Sequence, residues 1–455
     1  MKASKVAVLV VLALAAPVAA YGQASDPSGD WKGVLKLGAI EMKLALHLGA
    51  ASTFDSPDQG VKGLPATMTR DGQRIIVTIP NVGRFEGALE SDGKTLAGTF
   101  SAGAMSGDVL LERGLFAPAV RPQTPTKPYS YREVEASYDN AARPGVHLAG
   151  TLTLPNGSGP FPAVLLITGS GRQDRDETLF EHRPFLVLAD HLTRRGVAVL
   201  RVDDRGVGGS TGAGPNDTSL DFATDVQAGI DWLKTRPEVD SRRIGLLGHS
   251  EGGIIAPIVA RDNPDVAFAV LWAGPGVSGA DVIIEQARAV VASSGASADQ
   301  VEATGRQQRA LVDAVLSSPD EAAAYRAAIK IATADGTPEA QVAASIRRLT
   351  GAWFRTFLTY DPRPTLESLR VPVLALLGGK DVQVLADQNE PPMKAAFANN
   401  PRAKVMVLTG LNHLFQNTTT GNPAEYGTLT ETIDPEALKL MGDWSVDVTG
   451  ARPTP

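Results

Sequence analysis

A serine with glycines two residues before and two residues after it stands in the run Gly248-His249-Ser250-Glu251-Gly252. The apolar residues 244–247 precede this run and the small, apolar residues 253–256 follow it, which predicts a strand, a sharp turn and a helix. The glycines are needed because the turn strains the serine backbone and brings strand and helix too close for side chains. The pattern indicates a nucleophile elbow that presents the Ser250 hydroxyl above a sheet edge.

A serine hydroxyl becomes a good nucleophile when a neighbouring base takes its proton, and histidine is the usual base. Of the six histidines in the chain, His413 is the one that follows the elbow. It closes the run Gly410-Leu411-Asn412-His413, directly after the last predicted strand, so its imidazole is expected at the same sheet edge as Ser250. We predict that His413 is the base; a histidine on a surface loop is the alternative interpretation.

The base must in turn be oriented by a carboxylate. The predicted strand 373–377 ends in Gly378-Gly379-Lys380-Asp381, one connection before His413. This gives the chain order serine, acid, histidine that accompanies the elbow motif. Asp381 is therefore the predicted acid, and Asp387 competes with it from further along, where a helix is predicted to begin.

Acyl transfer from a serine also needs N–H donors for the negative oxygen of the tetrahedral intermediate, typically worth about 3 kcal/mol each. The N–H of Glu251, at the amino end of the elbow helix, is predicted to supply one. The second is predicted to be the N–H of Ser170 in Thr168-Gly169-Ser170-Gly171, with Gly171 as the alternative. The charged run 172–177 that follows either holds this loop rigid or is simply solvated.

Strands and helices must position these residues. Near-continuous apolar runs are typical of buried parallel strands. Six such runs alternate with helical segments, and two or three further strands are predicted within residues 131–154; the runs are 163–167, 197–202, 244–247, 268–272, 373–377 and 404–408. They predict an α/β domain over residues 129–455, with a mostly parallel sheet and helices on both faces. The alanine-rich stretch at about 281–350 predicts a helical insertion, interpreted as a lid over the site.

The part of the chain before this domain has a different pattern. Short segments of alternating apolar and polar residues predict a small antiparallel β-barrel or sandwich over residues 25–115; the predicted strands are 31–35, 42–46, 74–79, 84–89, 95–100 and 108–111. Asp71-Gly72 and Asp92-Gly93 lie between pairs of these segments and suit tight hairpin turns. Residues 116–128 contain four prolines and are predicted to be a linker.

Composition limits the classes of function. A length of 455 residues indicates two domains, and a net charge of −7 with scattered Lys and Arg argues against a nucleic-acid partner. With no cysteine, there is no disulfide framework, lipid-attachment cysteine or thiolate metal site. We predict a small-molecule substrate, no cofactor and no metal; the oligomeric state is not determined by the sequence.

The first 24 residues have the pattern of a secretory signal peptide. Two lysines precede the apolar run 6–20, which is broken by Pro17, and cleavage is expected after Ala20 or Ala24. The run is shorter than the roughly 20 residues that a spanning helix needs. No second long apolar stretch follows, so we expect a mature protein without a membrane span, periplasmic or secreted.

The elbow, Asp381, His413, the loop 169–171 with its continuation 174–176, and the segment 204–208 together resemble the α/β-hydrolase superfamily. More narrowly, residues 129–447 are similar to bacterial secreted serine esterases of the EstD type, close to the prolyl-oligopeptidase-like and serine-aminopeptidase-like hydrolases. A small all-β domain often precedes the hydrolase in such proteins. Thr168 before Gly169 departs from their commoner His-Gly motif, which affects the identity of the second N–H donor.

The resemblance implies a metal-independent serine hydrolase that cleaves carboxylic esters of short to medium acyl chain through an acyl-serine intermediate. A peptidase, of the aminopeptidase or oligopeptidase-like kind, or an acyltransferase with the same triad is the alternative. A non-catalytic envelope protein that binds a glycan or partner is the third possibility.

Overall fold

The computed structural model describes residues 26–37, 40–59, 61–80, 82–102 and 105–452. The predicted signal peptide, residues 1–24, lies outside the described residues. Within them, no helix combines the length and the apolar character that crossing a membrane requires.

The first domain is a closed antiparallel barrel of eight strands in sequential order. Its strands are β1 Gly29–Leu37, β2 Ile40–Leu48, β3 Ser52–Ser56, β4 Val61–Asp71, β5 Arg74–Ile79, β6 Gly83–Leu89, β7 Thr95–Ala102 and β8 Met105–Arg113. Trp31 of β1 pairs with Arg113 of β8 and closes the barrel. Gly72 and Gly93 have φ of 61° and 67° in the two predicted hairpin turns. The predicted β domain is thus a barrel rather than a sandwich, and β3 and β4 were not predicted.

The second domain is built on an eight-stranded sheet, in the order β16-β15-β14-β13-β11-β12-β10-β9. Its strands are β9 Arg132–Asp139, β10 His147–Leu154, β11 Phe161–Ile167, β12 Ala198–Val202, β13 Val239–His249, β14 Val266–Trp272, β15 Val373–Gly378 and β16 Ala403–Leu408. The six strands from β11 to β16 run parallel, whereas β10 is antiparallel to both of its neighbours. All six predicted apolar runs are strands of this sheet.

Helices cover both faces of the sheet. The helices are α1 Pro184–Thr193, α2 Ser219–Lys234, α3 Gly252–Asp262, α4 Gly279–Ser293, α5 Ala298–Leu316, α6 Glu321–Ala332, α7 Glu339–Thr350, α8 Ala352–Thr359, α9 Arg363–Ser368, α10 Ala386–Ala396 and α11 Pro435–Thr449. Buried side chains of α1 and α11 pack on one face, and those of α2, α3, α9 and α10 pack on the other. The α/β-hydrolase fold predicted from the sequence is confirmed.

The predicted helical insertion lies between β14 and β15. It comprises α4 to α8 and has an apolar core of its own, with Val312, Val315, Ala324 and Ala328 buried at its centre. Because Ala352–Thr359 is also helical, the insertion extends to residue 359 and is longer than the predicted 281–350.

The proline-containing segment between the domains is attached to the α/β domain by side-chain bonds. The Arg121 guanidinium donates to the carbonyl oxygens of Phe180 and Leu429 at 2.6 and 2.8 Å. The Gln123 amide donates to the Ile433 carbonyl at 2.6 Å and accepts from the Thr432 N–H at 2.6 Å. This segment is therefore a docked connection.

Candidate active site

Ser250 occupies a sharp turn between β13 and α3. Its φ is 53°, in the left-handed region that non-glycine residues rarely adopt, and its N–H donates to the Trp272 carbonyl at 2.8 Å. A Cβ on Gly248 would lie 1.9 Å from the carbonyl oxygen of Gly252, and one on Gly252 would lie 2.2 Å from that of Ile167. The two flanking glycines are thus sterically required, as expected for a nucleophile elbow.

His413 and Asp381 meet at the same edge of the sheet. Asp381 follows the end of β15, and its Oδ2 accepts from His413 Nδ1 at 2.7 Å. The N–H groups of Gln383 and Val384 donate to Oδ1 of Asp381 at 2.7 and 2.9 Å, so both carboxylate oxygens are held. With Nδ1–H donating to the carboxylate, Nε2 of His413 is left with the lone pair that a base needs.

The competing carboxylate, Asp387, lies elsewhere. It is in the first turn of α10, with its side chain exposed to solvent. The carboxylate bonded to His413 is therefore that of Asp381.

The residue that precedes Ser250 connects the elbow to His413. The ring centroids of His249 and His413 are 4.9 Å apart, and His249 Nε2 donates to the His413 carbonyl oxygen at 3.2 Å. Both rings are buried. The structure thus brings His413 and Asp381 to the elbow, although they follow Ser250 by more than a hundred residues.

The loop after β11, residues 168–171, which we call the β11 loop, passes beside the elbow. A Cβ on Gly169 would lie 3.3 Å from Cβ of Ser250. The Gly169 N–H donates to Oε1 of Glu177 at 2.7 Å. In the part of the chain that the structure describes, no protein acceptor is bonded to the N–H of Ser170, Gly171 or Glu251. These three N–H groups include both predicted oxyanion donors and the alternative.

The charged run after the β11 loop is anchored rather than solvated. The Arg175 guanidinium forms an ion pair with Asp203 at 2.8 Å. The Asp204 carboxylate accepts from the Thr168 hydroxyl and from the Gln173 N–H, each at 2.8 Å. Burial raises the pKa of Asp204 well above its usual range. These contacts with Asp203 and Asp204 fix the position of the β11 loop and of the charged run that follows it.

The side chain of Glu251 links the elbow to two other elements, a role that the sequence did not indicate. Its Oε1 accepts from the Ser219 hydroxyl at 2.6 Å and from the Trp353 indole N–H at 2.8 Å. Burial raises the pKa of this carboxyl group, against the opposing effect of these two hydrogen bonds and of a third from the Ser170 side chain. Because Trp353 lies on α8, the helical insertion is bonded to the residue that follows Ser250.

A small cavity of about 60 Å³ lies beneath the β11 loop. Its lining includes Gly169, Gly171, Glu251, Phe222 and Ile255, but not Ser250 or His413. A cavity of this size accommodates only a group of a few heavy atoms.

Comparison with known families covers the region that holds this site. A family model described as X-Pro dipeptidyl-peptidase (S15 family) matches residues 144–414, which include Ser250, Asp381 and His413. This match extends over more than half of the chain.

Two curated proteins are similar over shorter stretches. The chain is 26% identical to esterase EstD of Thermotoga maritima over 300 residues, which are 66% of this chain and 65% of that esterase. It is 24% identical to acyl-coenzyme A thioesterase 3 of Mus musculus over 185 residues, 41% of this chain and 39% of the thioesterase. The chain thus spans slightly less than two thirds of the length of the first relative and much less of the second.

Solved structures of low sequence identity were also found. An esterase of Pyrococcus furiosus aligns with a TM-score of 0.45 and 14% identity, covering 74% of this chain and 100% of that one. The α/β hydrolase GrgF of Penicillium aligns with a TM-score of 0.45 and 16% identity, covering 70% of this chain and 99% of that one.

Proposed function

Because the chain belongs to the S15 family of X-Pro dipeptidyl-peptidases, we propose that it is a serine hydrolase with Ser250 as nucleophile, His413 as base and Asp381 as acid. Its proposed substrates are carboxylic esters with short to medium acyl chains. The observation that carries the proposal is the buried 2.7 Å hydrogen bond between His413 and Asp381, placed beside the strained turn of Ser250.

The proposed reaction has two halves. In the first, Oγ of Ser250 attacks the ester carbonyl while Nε2 of His413 takes its proton, and the Asp381 carboxylate stabilises the imidazolium that forms. The N–H groups of Glu251 and Ser170 donate to the negative oxygen of the tetrahedral intermediate. His413 then gives the proton to the leaving alcohol and an acyl-serine remains.

In the second half, water replaces the alcohol. His413 takes a proton from the water as it attacks the acyl-serine, and the same N–H groups stabilise the second intermediate. Collapse returns the proton to Ser250 and releases the carboxylic acid. No step of the proposed mechanism requires a metal ion or an organic cofactor.

The buried acidic side chains around the elbow favour an ester over a peptide with a free amino terminus. Binding an ammonium group needs a carboxylate that is available to it. Glu251 accepts from Ser219 and Trp353, Glu177 is paired with His249, and Asp204 accepts from two protein donors. Glu251 and Asp204 are thus engaged by protein donors, and the charge of Glu177 is paired with His249, although Oε2 of Glu177 has no hydrogen-bond partner among the described residues. An uncharged ester does not need a free carboxylate.

The acyl length of the proposed substrates can be measured directly. Nitrophenyl esters of increasing acyl length are expected to show the highest kcat/KM at the short end. A maximum at long chains would refute this part of the proposal.

A peptidase is the second candidate, and the family match is the observation that favours it. Nitrophenyl esters and X-Pro-nitroanilides assayed side by side distinguish the two. Hydrolysis of the esters alone supports the esterase, whereas comparable kcat/KM for X-Pro-nitroanilides supports the peptidase. An added alcohol that captures the acyl group in place of water would show acyl transfer.

The nucleophile is tested by a fluorophosphonate probe and by Ser250→Ala. The wild type should be labelled, and the variant should lose both labelling and turnover, the latter by about a million-fold. Ser241→Ala, an exposed serine on the same strand β13, is the control and should keep both. Unchanged turnover of Ser250→Ala would refute the proposed mechanism.

We also propose that the protein is exported to the periplasm or the medium. Support comes from the apolar run 6–20 after two lysines. Cell fractionation and amino-terminal sequencing of the exported chain should give a start at Tyr21 or Ser25. An uncleaved chain in the cytoplasmic fraction would refute export.

A further inference from the structure

A histidine and a glutamate are buried as an ion pair next to Ser250, and the proposed chemistry uses neither side chain. Nδ1 of His249 lies 2.9 Å from Oε1 of Glu177, and the residues are 4% and 2% exposed. A buried ion pair is poor evidence of a gain in stability, because removing two charges from water is costly. The contacts of each partner indicate another role.

Glu177 holds the β11 loop. The same Oε1 that faces His249 also accepts from the Gly169 N–H at 2.7 Å. Glu177 has a φ of 53°, an unfavourable conformation for a non-glycine residue that persists only where its surroundings enforce it. Its own N–H donates to the Asp174 carbonyl at 2.9 Å. The carboxylate is thus fixed where it meets the loop proposed to supply an oxyanion donor.

His249 contacts the backbone of His413, on the side of the site opposite the β11 loop. Nε2 donates to the His413 carbonyl oxygen at 3.2 Å, and the two rings lie 4.9 Å apart. Since His249 directly precedes Ser250, its ring reaches from the elbow to the backbone of the proposed base.

Both ring nitrogens of His249 face oxygen atoms that accept hydrogen bonds. A neutral imidazole has a single N–H, so only the imidazolium donates to both. Burial lowers the pKa of His249, but the charge and hydrogen bond of Glu177, the hydrogen bond to the His413 carbonyl and the charge of Asp381 together raise it more, and the net pKa lies above its ordinary value. The paired charges fit the two hydrogen bonds that the structure shows.

We propose that Glu177 and His249 form a brace, a pair of positioning residues that fixes the β11 loop and the backbone of His413 on either side of Ser250. This inference rests on the proposed function. Oxyanion donors lower a barrier only if they are already aimed at the developing charge, so a brace that fixes their loop acts on the transition state.

Two variants of Glu177 separate its charge from its hydrogen bonds. Glu177→Ala removes both, whereas Glu177→Gln keeps an acceptor oxygen for the Gly169 N–H and removes the charge. We expect Glu177→Ala to lower kcat per active site by at least about tenfold, with KM changed by less than about twofold. Glu177→Gln should lie between Glu177→Ala and the wild type.

His249→Gln tests the same unit from the other side. Its kcat should fall as in Glu177→Ala, and the double variant should be no worse than the poorer single variant, because both changes break one unit. Active sites are counted with the fluorophosphonate probe, so that loss of folded protein does not count as loss of kcat.

A boronic acid gives the readout that a merely structural role would not change. It forms a tetrahedral adduct on Ser250 that resembles the intermediate. Its inhibition constant should rise by the same factor as kcat/KM falls, whereas a less stable enzyme with an intact site would keep the wild-type constant. His147→Gln removes an exposed histidine paired with Asp139 at 2.7 Å, and this control should leave both values unchanged.

Wild-type kcat and boronate inhibition in Glu177→Ala would overturn the brace, and so would a loss confined to KM. Failure of the proposed function gives a different result: the wild type itself would resist the probe, or Ser250→Ala would turn over esters as the wild type does.

Discussion

The stability of this protein should depend on pH through His182, a fully buried histidine. It lies between β11 and α1, where Nδ1 is 3.0 Å from the Thr432 hydroxyl and Nε2 is 3.0 Å from the Tyr426 carbonyl and 3.1 Å from the Gln416 side-chain nitrogen. This arrangement fits a neutral imidazole. Burial lowers the pKa of His182 from 6.5 to about 4, more than the hydrogen bond to Tyr426 raises it.

The size and the sign of the effect follow from this pKa. Each pKa unit corresponds to about 1.4 kcal/mol, so a shift from 6.5 to about 4 corresponds to about 3 kcal/mol. Between these two pH values the unfolded chain binds a proton that the folded protein does not. The contribution of His182 to the free energy of unfolding is therefore complete above pH 6.5 and is lost as the pH falls to about 4.

The variant His182→Gln isolates this contribution because glutamine can hydrogen-bond but does not titrate. Urea unfolding of both proteins at several pH values gives the difference in free energy of unfolding, wild type minus variant. This difference should fall by about 3 kcal/mol between pH 7 and pH 4. A difference that stays constant over this range would refute the reasoning.

His47 in the barrel provides a control of opposite sign. Burial lowers its pKa, but hydrogen bonds to Asp30 and Asp55 raise it more, so the net pKa lies above its ordinary value. The contribution of His47 is present below pH 6.5 and is lost as the pH rises through the raised pKa. For His47→Gln the difference in free energy of unfolding, wild type minus variant, should therefore be larger at acid pH.

Three further predictions concern the site. Asp381→Asn should lower kcat by about 10⁴-fold in ester assays because the amide no longer stabilises the imidazolium, whereas Asp387→Asn should be active; equal activity of the two would contradict the assignment. Gly248→Ala should give little folded protein in expression and circular dichroism, because its Cβ would lie 1.9 Å from a carbonyl oxygen. Trp353→Phe takes a donor from the buried Glu251 and should lower the free energy of urea unfolding by about 1–3 kcal/mol; an unchanged value would show that this bond contributes nothing.

The sheet and the elbow were predictable because each has a local signal. Strands β11 to β15 are largely buried and appear as near-continuous apolar runs, and the elbow needs two glycines at fixed spacing. Strand β16, at the edge of the sheet, is only partly buried. Chain order also led to Asp381, which the structure bonds to His413.

Features without a local signal were missed. In strand β4, partly buried Leu64, Ala66 and Met68 alternate with exposed residues, but Gly63 and Pro65 are residues that disfavour a strand and so mask this pattern in the sequence. The pair of Glu177 and His249 joins residues that are 72 positions apart, which one sequence does not reveal. The bond from Trp353 to Glu251 likewise depends on how the helical insertion packs.

The docked connection between the domains precedes β9 in the chain, yet its side chains stabilise the α/β domain. Arg121 and Gln123 hold residues 427–433, a strip that begins shortly after His413. Deleting the barrel together with this connection would thus also remove the hydrogen bonds that hold residues 427–433. A truncated enzyme, or a chimaera with a different amino-terminal domain, should retain every residue from Ala119 onward.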